Sequence, residues 1–433
     1  MNRNSILFKI KNTKLYNSAF LIFRNLSTKR GFNSYKKNFS FQVNRGGLLL
    51  IVIISALILF IGFNLSRYSQ LNFSPYLDPS ELENQPLILN DAREINTLLI
   101  GFDDTQNSYK FINMIAIISL DYQNATVKTY SLNPNYIVNI NGNSVTLRAA
   151  FNVLTSSNSE KMKDLQELIE NFSAVRIDRY IAFDYSDFDK LVQATNLTIK
   201  SDKSYRFGDT FISEGEVLSG NKLNDFVTFE SIPDDEAIGR QSMFLKELLE
   251  NFRDKFSLYS YFLNGTEFSQ VIHTNFTKDE FIRFIMNVSS TDSSILTGLA
   301  SEKLTLSDLS KLNREEGIVY SDMLLDEDLS QLFRNISIIK EQSKLEIFNG
   351  TEKSGVAYNL KRKFENTGIT VIKTGNYPDL VSQNILYIPK NNPDNFTNTI
   401  RLIRSILRDD LKIVYGEYKF NYSGDMILVI GNN

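Results

Sequence analysis

The chain has 433 residues, of which 42% are hydrophobic and 22% charged, so it is long enough for two or three domains and can bury a core. It has no cysteine and one histidine, His273, which excludes disulfides, cysteine nucleophiles and metal sites built from several histidines. The net charge of −3 is unevenly distributed along the chain, because residues 1–67 hold 11 basic and no acidic residues. The rest of the chain has 36 basic and all 50 acidic residues, which gives it a net charge of −14.

A basic tail, residues 1–45, precedes an uncharged run of 21 residues, 46–66. About 20 apolar residues at a rise of 1.5 Å match the hydrocarbon thickness of a bilayer, so the run predicts one transmembrane helix. The excess of lysine and arginine before it places the N-terminus in the cytoplasm and the bulk of the chain outside the cell membrane. The alternative is a cleaved signal peptide, which the depth and length of the run disfavour. The tail is expected to contact anionic lipid, and no motif indicates nucleic acid.

Strand and helix patterns interleave after a polar stalk at residues 67–93. The first domain is predicted over 94–289, with apolar or alternating runs typical of strands and 3.6-residue periods typical of helices. Its predicted strands are Ile95–Gly101, Met114–Leu120, Ala125–Leu132 and Tyr180–Tyr185, and its predicted helices are 160–172, Asp187–Ala194 and Arg240–Phe256. The interleaving favours an α/β or α+β domain.

A second, smaller α/β domain is predicted over residues 343–433, after a partly helical segment at 290–342 that ends the first domain and links the two. Asn349-Gly350-Thr351 has the composition of a turn. The predicted strands are Lys344–Phe348, Ile369–Lys373, Ile385–Ile388 and Met426–Ile430, and the predicted helices are Val356–Thr367 and Phe396–Leu407.

Several short motifs follow one another along the chain, and the first, residues 98–103, is Leu-Leu-Ile-Gly-Phe-Asp. The others are 110–121, 129–132, 147–151, 177–192, 218–220 and 239–241 in the large domain, and 347–351, 355–357 and 430–431 in the small one. In this order they resemble the LytR–CpsA–Psr family of bacterial cell-envelope proteins, whose first strand ends in Gly-x-Asp, over roughly residues 95–289. Residues 343–433 resemble its LytR C-terminal type domain.

The resemblance implies an α/β fold with a mixed sheet and helices on both faces. It also implies a phosphotransferase that moves a glycan polymer from a polyprenyl-pyrophosphate lipid to a hydroxyl of peptidoglycan. Such a site needs arginines that hold the diphosphate, carboxylates that hold a cation such as Mg²⁺, and an apolar groove for the prenyl tail. The implied partners are the membrane, a polyprenyl-phosphate lipid, and peptidoglycan or a glycopolymer.

Several charged residues of the family's pattern are replaced in this sequence. Residues 110–113, Lys-Phe-Ile-Asn, stand where the family usually has Arg-Ser-Asp-Thr, and 133–135, Asn-Pro-Asn, stand at its Pro-Arg-Asp segment. Residues 226–230 lack the two arginines of its Tyr-Val-Arg-x-Arg segment, and Ala237 stands where another arginine is common. Each lost arginine would remove a contact of about 1.5–3 kcal/mol. We therefore predict a divergent, inactive member that retains the fold, unless a nearby arginine substitutes; the candidates are Arg148, Arg176, Arg179 and Arg206.

Three residues remain as candidate site residues. Asp103 is predicted to hold a metal, against the alternative of a solvated acid at a strand end. Lys110 and Arg240 are predicted to bind phosphate, although Arg240 could instead pair with the acids at 234–236. His273 is predicted to be a boundary residue without a catalytic role.

Three functions therefore compete. The first is an envelope glycopolymer transferase with a rebuilt site, and the second is a non-catalytic scaffold or lipid- and glycan-binding protein of the same family. The third is an unrelated single-pass adhesion or sensor protein.

Overall fold

A computed structural model gives the fold of the chain, which divides into two compact units, Met1–Gly62 and Phe63–Asn433. The described residues are 45–70, 94–104, 109–121, 125–154, 158–229, 235–255, 269–289, 296–299, 317–318, 322–388, 393–407, 410–416, 418 and 421–432.

Helix α1, Arg45–Gln70, covers the predicted transmembrane span. Its described side chains from Ile53 to Phe60 are exposed. Over the described ranges, however, no helix combines the length and apolarity needed to cross a membrane. The transmembrane prediction is therefore not confirmed. The basic tail up to residue 44 and the stalk from residue 71 to 93 lie outside the described residues.

The large domain alternates strands with helices. In chain order its elements are β1 (Glu94–Asp104), β2 (Lys110–Asp121), β3 (Thr126–Leu132), β4 (Ile137–Ile140), β5 (Asn143–Thr146), α2 (Leu147–Val153), α3 (Asn158–Ser173), β6 (Arg179–Asp184), α4 (Phe188–Thr195), β7 (Ile199–Lys200), β8 (Tyr205–Phe207), β9 (Thr210–Ile212), β10 (Val217–Leu218), α5 (Gly220–Thr228), α6 (Asp235–Lys255), β11 (Ile272–Thr274), α7 (Lys278–Ser289), β12 (Leu296–Leu299) and α8 (Asp322–Phe333).

Six of these strands form a mixed sheet in the order β11-β6-β1-β2-β3-β12. Strands β1, β2 and β3 are antiparallel neighbours, whereas β6 runs parallel to β1 and β12 runs parallel to β3. The predicted mixed α/β class is confirmed. Strand β12 and helix α8 come from the segment 290–342, so this segment contributes to the first domain before it leads into the second.

Helices cover both faces of the sheet, which explains why the central strand β2 carries the continuous apolar run Met-Ile-Ala-Ile-Ile at residues 114–118. On one face, Leu99 and Phe183 pack with Phe244 and Leu248 of α6 and with Phe281 of α7; we name this cluster the α6-side core. The opposite face carries the α3-side core, to which Leu98, Phe102, Leu165, Phe172 and Leu329 belong. Alternate residues of β1 thus enter different cores, as the two-residue period of a strand requires.

The small domain is a second sheet with helices on one face. Its elements are α9 (Ile336–Glu341), β13 (Lys344–Asn349), α10 (Val356–Thr367), β14 (Thr370–Asn376), β15 (Ile385–Ile388), α11 (Thr397–Ile406), β16 (Lys412–Tyr415) and β17 (Met426–Ile430). The strand order is β14-β13-β17-β15-β16. Its core includes Leu345, Phe364, Leu386, Ile403 and Leu428.

Buried polar contacts join helix α10 of the small domain to the large domain. Arg362 donates to both carboxylate oxygens of Asp326 on α8, at 2.7 and 2.9 Å, and to the carbonyl of Phe172 at 3.1 Å. Lys363 donates to Glu170 on α3 at 2.7 Å. Both cations are less than 10% exposed, at 6% and 8%. These contacts set the orientation of the small domain on the large one, because each needs a donor of α10 to meet a fixed acceptor of the large domain.

Candidate functional site

The site lies where β1 and β2 meet at the end of the sheet that carries the Gly-x-Asp motif. The register pairs Gly101 with Met114 and Phe102 with Ile112, so the ladder shifts at this point and Asn113 is the extra residue of a β-bulge. A bulge bends the strand and changes the direction of a side chain, and bulges are common beside active sites. The sequence alone gives no signal for it, because a bulge depends on how two strands pair.

Asn113 connects a carboxylate to a guanidinium. Its side-chain nitrogen donates to Asp103 Oδ2 at 3.2 Å, and its side-chain oxygen accepts from Arg148 Nε at 3.0 Å. Asn113 is 1% exposed, so both bonds lie in a protected environment where they strengthen. The guanidinium carbon of Arg148 also lies 4.5 Å from the centroid of the Phe111 ring. The network therefore holds one negative and one positive group in fixed positions.

Helix α2 places Arg148 at this position. Thr146 caps the helix by accepting from the backbone N–H of Ala149 at 3.4 Å. Leu147, Ala150 and Phe151 are buried in the α3-side core, which leaves the half-buried Arg148 directed toward β2.

Gln241 and Tyr185 complete the polar part of the site. Gln241 on α6 donates to the backbone oxygen of Asn113 at 2.9 Å and to the Tyr185 hydroxyl at 3.1 Å. Burial raises the pKa of the Tyr185 phenol, and the negative charge of Asp103 raises it further, while Arg240 opposes this rise. Tyr185 therefore remains a neutral hydroxyl that can donate a proton in a hydrogen bond at neutral pH.

An apolar cavity of about 30 Å³ lies below this polar network, inside the α6-side core. Its lining residues are all apolar: Leu99, Ile118, Ile181, Phe183, Leu191, Phe244, Leu245, Leu248, Leu249, Ile272, Phe281, Phe284 and Ile285. The ring of Phe183 stacks on that of Tyr185, with the centroids 6.0 Å apart. The cavity and the polar network therefore meet where the Phe183 ring stacks on Tyr185.

Lys110, a predicted phosphate-binding residue, is paired with a carboxylate. Its ammonium group lies 2.9 and 3.1 Å from the two oxygens of Asp184, and both side chains are mostly buried. Its backbone is held by Asn152 through two hydrogen bonds of 3.1 and 2.8 Å. The Lys110 ammonium also lies 6.0 Å from the centroid of the Phe102 ring, which belongs to the α3-side core.

Arg240, the other predicted phosphate-binding residue, is 1% exposed. It donates to the carbonyl oxygens of Phe226 at 2.8 Å and Phe229 at 3.3 Å, and its guanidinium lies over the Phe207 ring at 4.6 Å. The carboxylate of Glu236 is 3.8 Å away, so the predicted alternative of pairing with a nearby acid is present as a long contact. One terminal nitrogen has no hydrogen-bond partner in the described part of the chain. In this conformation Arg240 supports the end of α5.

Of the four substitute arginines named from the sequence, Arg148 contacts the Asp103 network in the part of the chain that the structure describes. Arg176 pairs with Asp178 at 2.8 Å, and Arg179 pairs with Glu280 at 3.2 Å. Arg206 is exposed on β8, away from the site's strands. His273 is half-buried on β11, and burial lowers its pKa, so it is neutral at neutral pH.

The predicted magnesium site rests on Asp103 alone. Among the described residues, no group of three or more acidic or histidine side chains is close enough to hold a metal ion. Magnesium usually takes one or two carboxylates and fills its octahedron with water and substrate phosphates. A single carboxylate with one oxygen bonded to Asn113 does not make a site by itself, so magnesium stays a prediction and we derive no chemical step from it.

The comparison with family models gives a match to the LytR_cpsA_psr family over residues 66–332, which is more than half of the chain. The chain belongs to the LytR–CpsA–Psr family. The prediction from the short motifs is confirmed for the large domain, and the alternative of an unrelated adhesion or sensor protein is set aside. The small domain lies outside the matched residues, so its likeness to a LytR C-terminal domain stays a prediction.

Solved structures with a similar fold include three of note. TagV of B. subtilis is 18% identical, with a TM-score of 0.46 and coverage of 54% of this chain and 94% of TagV. TagT bound to LI-WTA is 14% identical, with a TM-score of 0.45, and the match covers 59% of this chain and 96% of that of TagT. A transcriptional regulator from Enterococcus faecalis is 12% identical, with a TM-score of 0.44, and the match covers 64% of this chain and 89% of the regulator's chain. No curated protein sequence matches the chain.

Proposed function

We propose that this chain is a cell-envelope protein that binds a polyprenyl-diphosphate-linked glycopolymer at the Asp103 site and transfers it slowly or not at all. Membership in the LytR–CpsA–Psr family supports the class of ligand. The replaced residues of the family's pattern, Asn113 and Asn135 among them, support the weak transfer.

The observation that carries the proposal is the junction of a polar network with an apolar cavity at Tyr185. A ligand that fits both parts has an anionic or polar head and a hydrocarbon tail. The cavity of about 30 Å³ holds no more than one water-sized volume. Entry of a prenyl tail therefore requires the side chains of α6 and α7, such as Leu248 and Phe281, to repack. Because a tail adds volume to a close-packed core, its entry also requires α6 and α7 to shift relative to the sheet.

The transfer reaction explains why the missing arginines matter. The oxygen of an acceptor hydroxyl would form a bond to the phosphorus that carries the glycan. The P–O–P link would break, polyprenyl phosphate would leave with the bond's electron pair, and the hydroxyl proton would pass to a base such as Asp103. Negative charge spreads over the phosphate oxygens in this transition state, and arginines stabilise it. A site without several of them loses several kcal/mol, at about 1.5–3 kcal/mol each, and so slows by orders of magnitude.

We also propose that residues 46–66 anchor the chain in the cell membrane with the N-terminus in the cytoplasm. The support is the absence of charge over this run and the 11 basic residues of segment 1–67. An anchor of this kind would keep the large domain at the leaflet where a polyprenyl lipid resides. We expect the chain to sediment with membranes after an alkaline carbonate wash. Release of the chain by the wash would contradict the membrane anchor.

The function can be tested with the full chain in detergent, a polyprenyl-diphosphate-linked glycan and a divalent metal. We expect saturable binding of the lipid and release of polyprenyl phosphate that stays near the background rate. Rapid release that Asp103→Ala abolishes would contradict the weak-transfer proposal and establish a working transferase. Asp209→Ala is the matched control, because Asp209 is an exposed acid in the turn between β8 and β9, away from the strands that form the site.

A further inference from the structure

We propose that a second cavity, between the two domains, binds a small 2-hydroxy carboxylate such as lactate. This interdomain cavity has a volume of about 70 Å³ and lies where the start of β1 meets α9 and α11 of the small domain. Glu94, which lines it, and Asp103 lie about 30 Å apart along β1, at about 3.3 Å per residue. The inference is therefore independent of the proposed lipid site.

The first argument is a pair of buried polar atoms in the cavity wall. Asn96 Oδ1 and Arg176 Nε have no hydrogen-bond partner among the described residues. Asn96 is 7% exposed, and its side-chain nitrogen donates to the backbone oxygen of Arg176 at 2.8 Å. Arg176 donates through Nη2 to the backbone oxygen of Glu94 at 3.0 Å and to Asp178 at 2.8 Å.

These two atoms favour a hydroxyl group in the ligand. Buried polar atoms are costly when they stay unpaired, and here one is an acceptor and the other a donor. A hydroxyl group can donate to the Asn96 oxygen and accept from the Arg176 nitrogen, whereas an amide N–H group can only donate.

The second argument is a cation in the wall, Arg401 of α11. Arg401 is exposed, so an anion can reach it from solvent. The other charged residues of the wall already face opposite charges, since Arg176 pairs with Asp178 at 2.8 Å and Glu94 lies 4.0 Å from Lys128. Arg401 forms no ion pair within the described part of the chain. A guanidinium in this position matches a carboxylate.

The third argument is the size and apolarity of the rest of the wall. Ile338 of α9 and Leu402 and Ile406 of α11 line the cavity with carbon atoms. The volume of about 70 Å³ is about half of the roughly 150 Å³ that holds benzene, so the enclosed part takes about three or four non-hydrogen atoms. A short carbon chain with a hydroxyl group fits this space when its carboxylate lies at Arg401. An inorganic phosphate has no apolar side to place against these residues.

The test titrates the full chain in detergent with three probes of similar size and follows binding by ligand-detected NMR. Lactate has both groups, propionate lacks the hydroxyl, and lactamide lacks the negative charge. We expect lactate to bind saturably, and the other two to bind about tenfold more weakly or worse, because each leaves one partner in the wall unmatched. Arg401→Gln should weaken lactate binding by about tenfold. Arg404→Gln is the matched control, because Arg404 is exposed on the same helix and does not line the cavity, and it should leave lactate binding unchanged.

A second variant tests the cavity without removing a charge. Ser405 lines the cavity, and Ser405→Leu should fill part of it and abolish lactate binding. Full lactate binding by Ser405→Leu would place the anion on the surface and overturn the inference. Equal affinity for lactate and propionate, tighter binding of inorganic phosphate than of lactate, or equal losses in Arg401→Gln and Arg404→Gln would overturn it too. If the wild-type chain does not bind lactate, the inference fails and the proposed lipid site is unaffected.

Discussion

Arg362→Ala is expected to lower the free energy of unfolding by about 3–5 kcal/mol, the usual cost of removing one partner from a buried ion pair. Arg362 is 6% exposed and makes a two-point contact with Asp326 at 2.7 and 2.9 Å. Its removal would leave the Asp326 carboxylate without its cation, with Asn366 as a remaining donor at 3.0 Å, and would take the Arg362 donor from the Phe172 carbonyl. Denaturant unfolding followed by circular dichroism measures the change, and an early partial transition would indicate release of the small domain.

Lys361 provides a matched control, because it precedes Arg362 on the same helix but points to solvent. Its ammonium lies 3.9 Å from Glu365, and both side chains are well exposed, at 37% and 41%. Exposed pairs of this kind contribute about 0.3–0.5 kcal/mol. We therefore expect Lys361→Ala to be almost neutral. Equal effects of the two substitutions would contradict a fixed domain interface.

Gly101→Ala is expected to destabilise the large domain by about 1–3 kcal/mol, as overpacking of a core does. A Cβ atom at Gly101 would lie 2.6 Å from Cε1 of Tyr185 and 3.1 Å from atoms of Met114 and Phe183. The Tyr185 ring would have to move, which would also disturb its hydrogen bond with Gln241. The motif therefore needs a glycine at this position, because any larger side chain would occupy the space of the Tyr185 ring where the polar network meets the cavity. The midpoint temperature of thermal unfolding and the affinity for geranylgeranyl diphosphate should both be lower than in the wild type.

Gly239→Ala is the control for this substitution. Gly239 lies within α6, and a Cβ atom there would meet nothing within 4 Å. Alanine is favoured over glycine inside a helix by about 0.8–1.0 kcal/mol, so this variant should be slightly more stable than the wild type. Two results would contradict the packing described around Tyr185. One is a Gly101→Ala variant more stable than the wild type, and the other is a Gly239→Ala variant destabilised as strongly as Gly101→Ala.

Much of the fold could be predicted from local sequence patterns. The apolar run Met114–Leu120 and the helical period around Leu248 identified elements that the structure places in β2 and α6. Helix Val356–Thr367 has its predicted bounds, because Gly368 in the left-handed region ends it. The predicted turn at Asn349–Thr351 is confirmed as well, since Asn349 accepts from the Thr351 amide at 3.0 Å. These features depend on neighbours in the chain, which the sequence displays directly.

The site was harder to predict, because its contacts depend on how distant segments pair. The motif shows Asn113 only as the replacement of a carboxylate, whereas the structure gives it a bridging position that follows from a bulge between two strands. The motif predicts Arg240 at the phosphate, and in this conformation the aromatic residues of β8 and α5 surround it. The burial of Arg362 likewise required the docked position of α10. No periodicity along the chain carries such information.

The most direct test of the lipid-binding account is to identify the lipid that remains with the full chain when it is purified from its own membranes in mild detergent. Mass spectrometry of the extract should find polyprenyl phosphate or diphosphate species in near-stoichiometric amount, and Gly101→Ala should retain less of them. An extract from folded wild-type chain that contains ordinary phospholipid alone, at the level of an unrelated membrane protein prepared in parallel, would contradict the account.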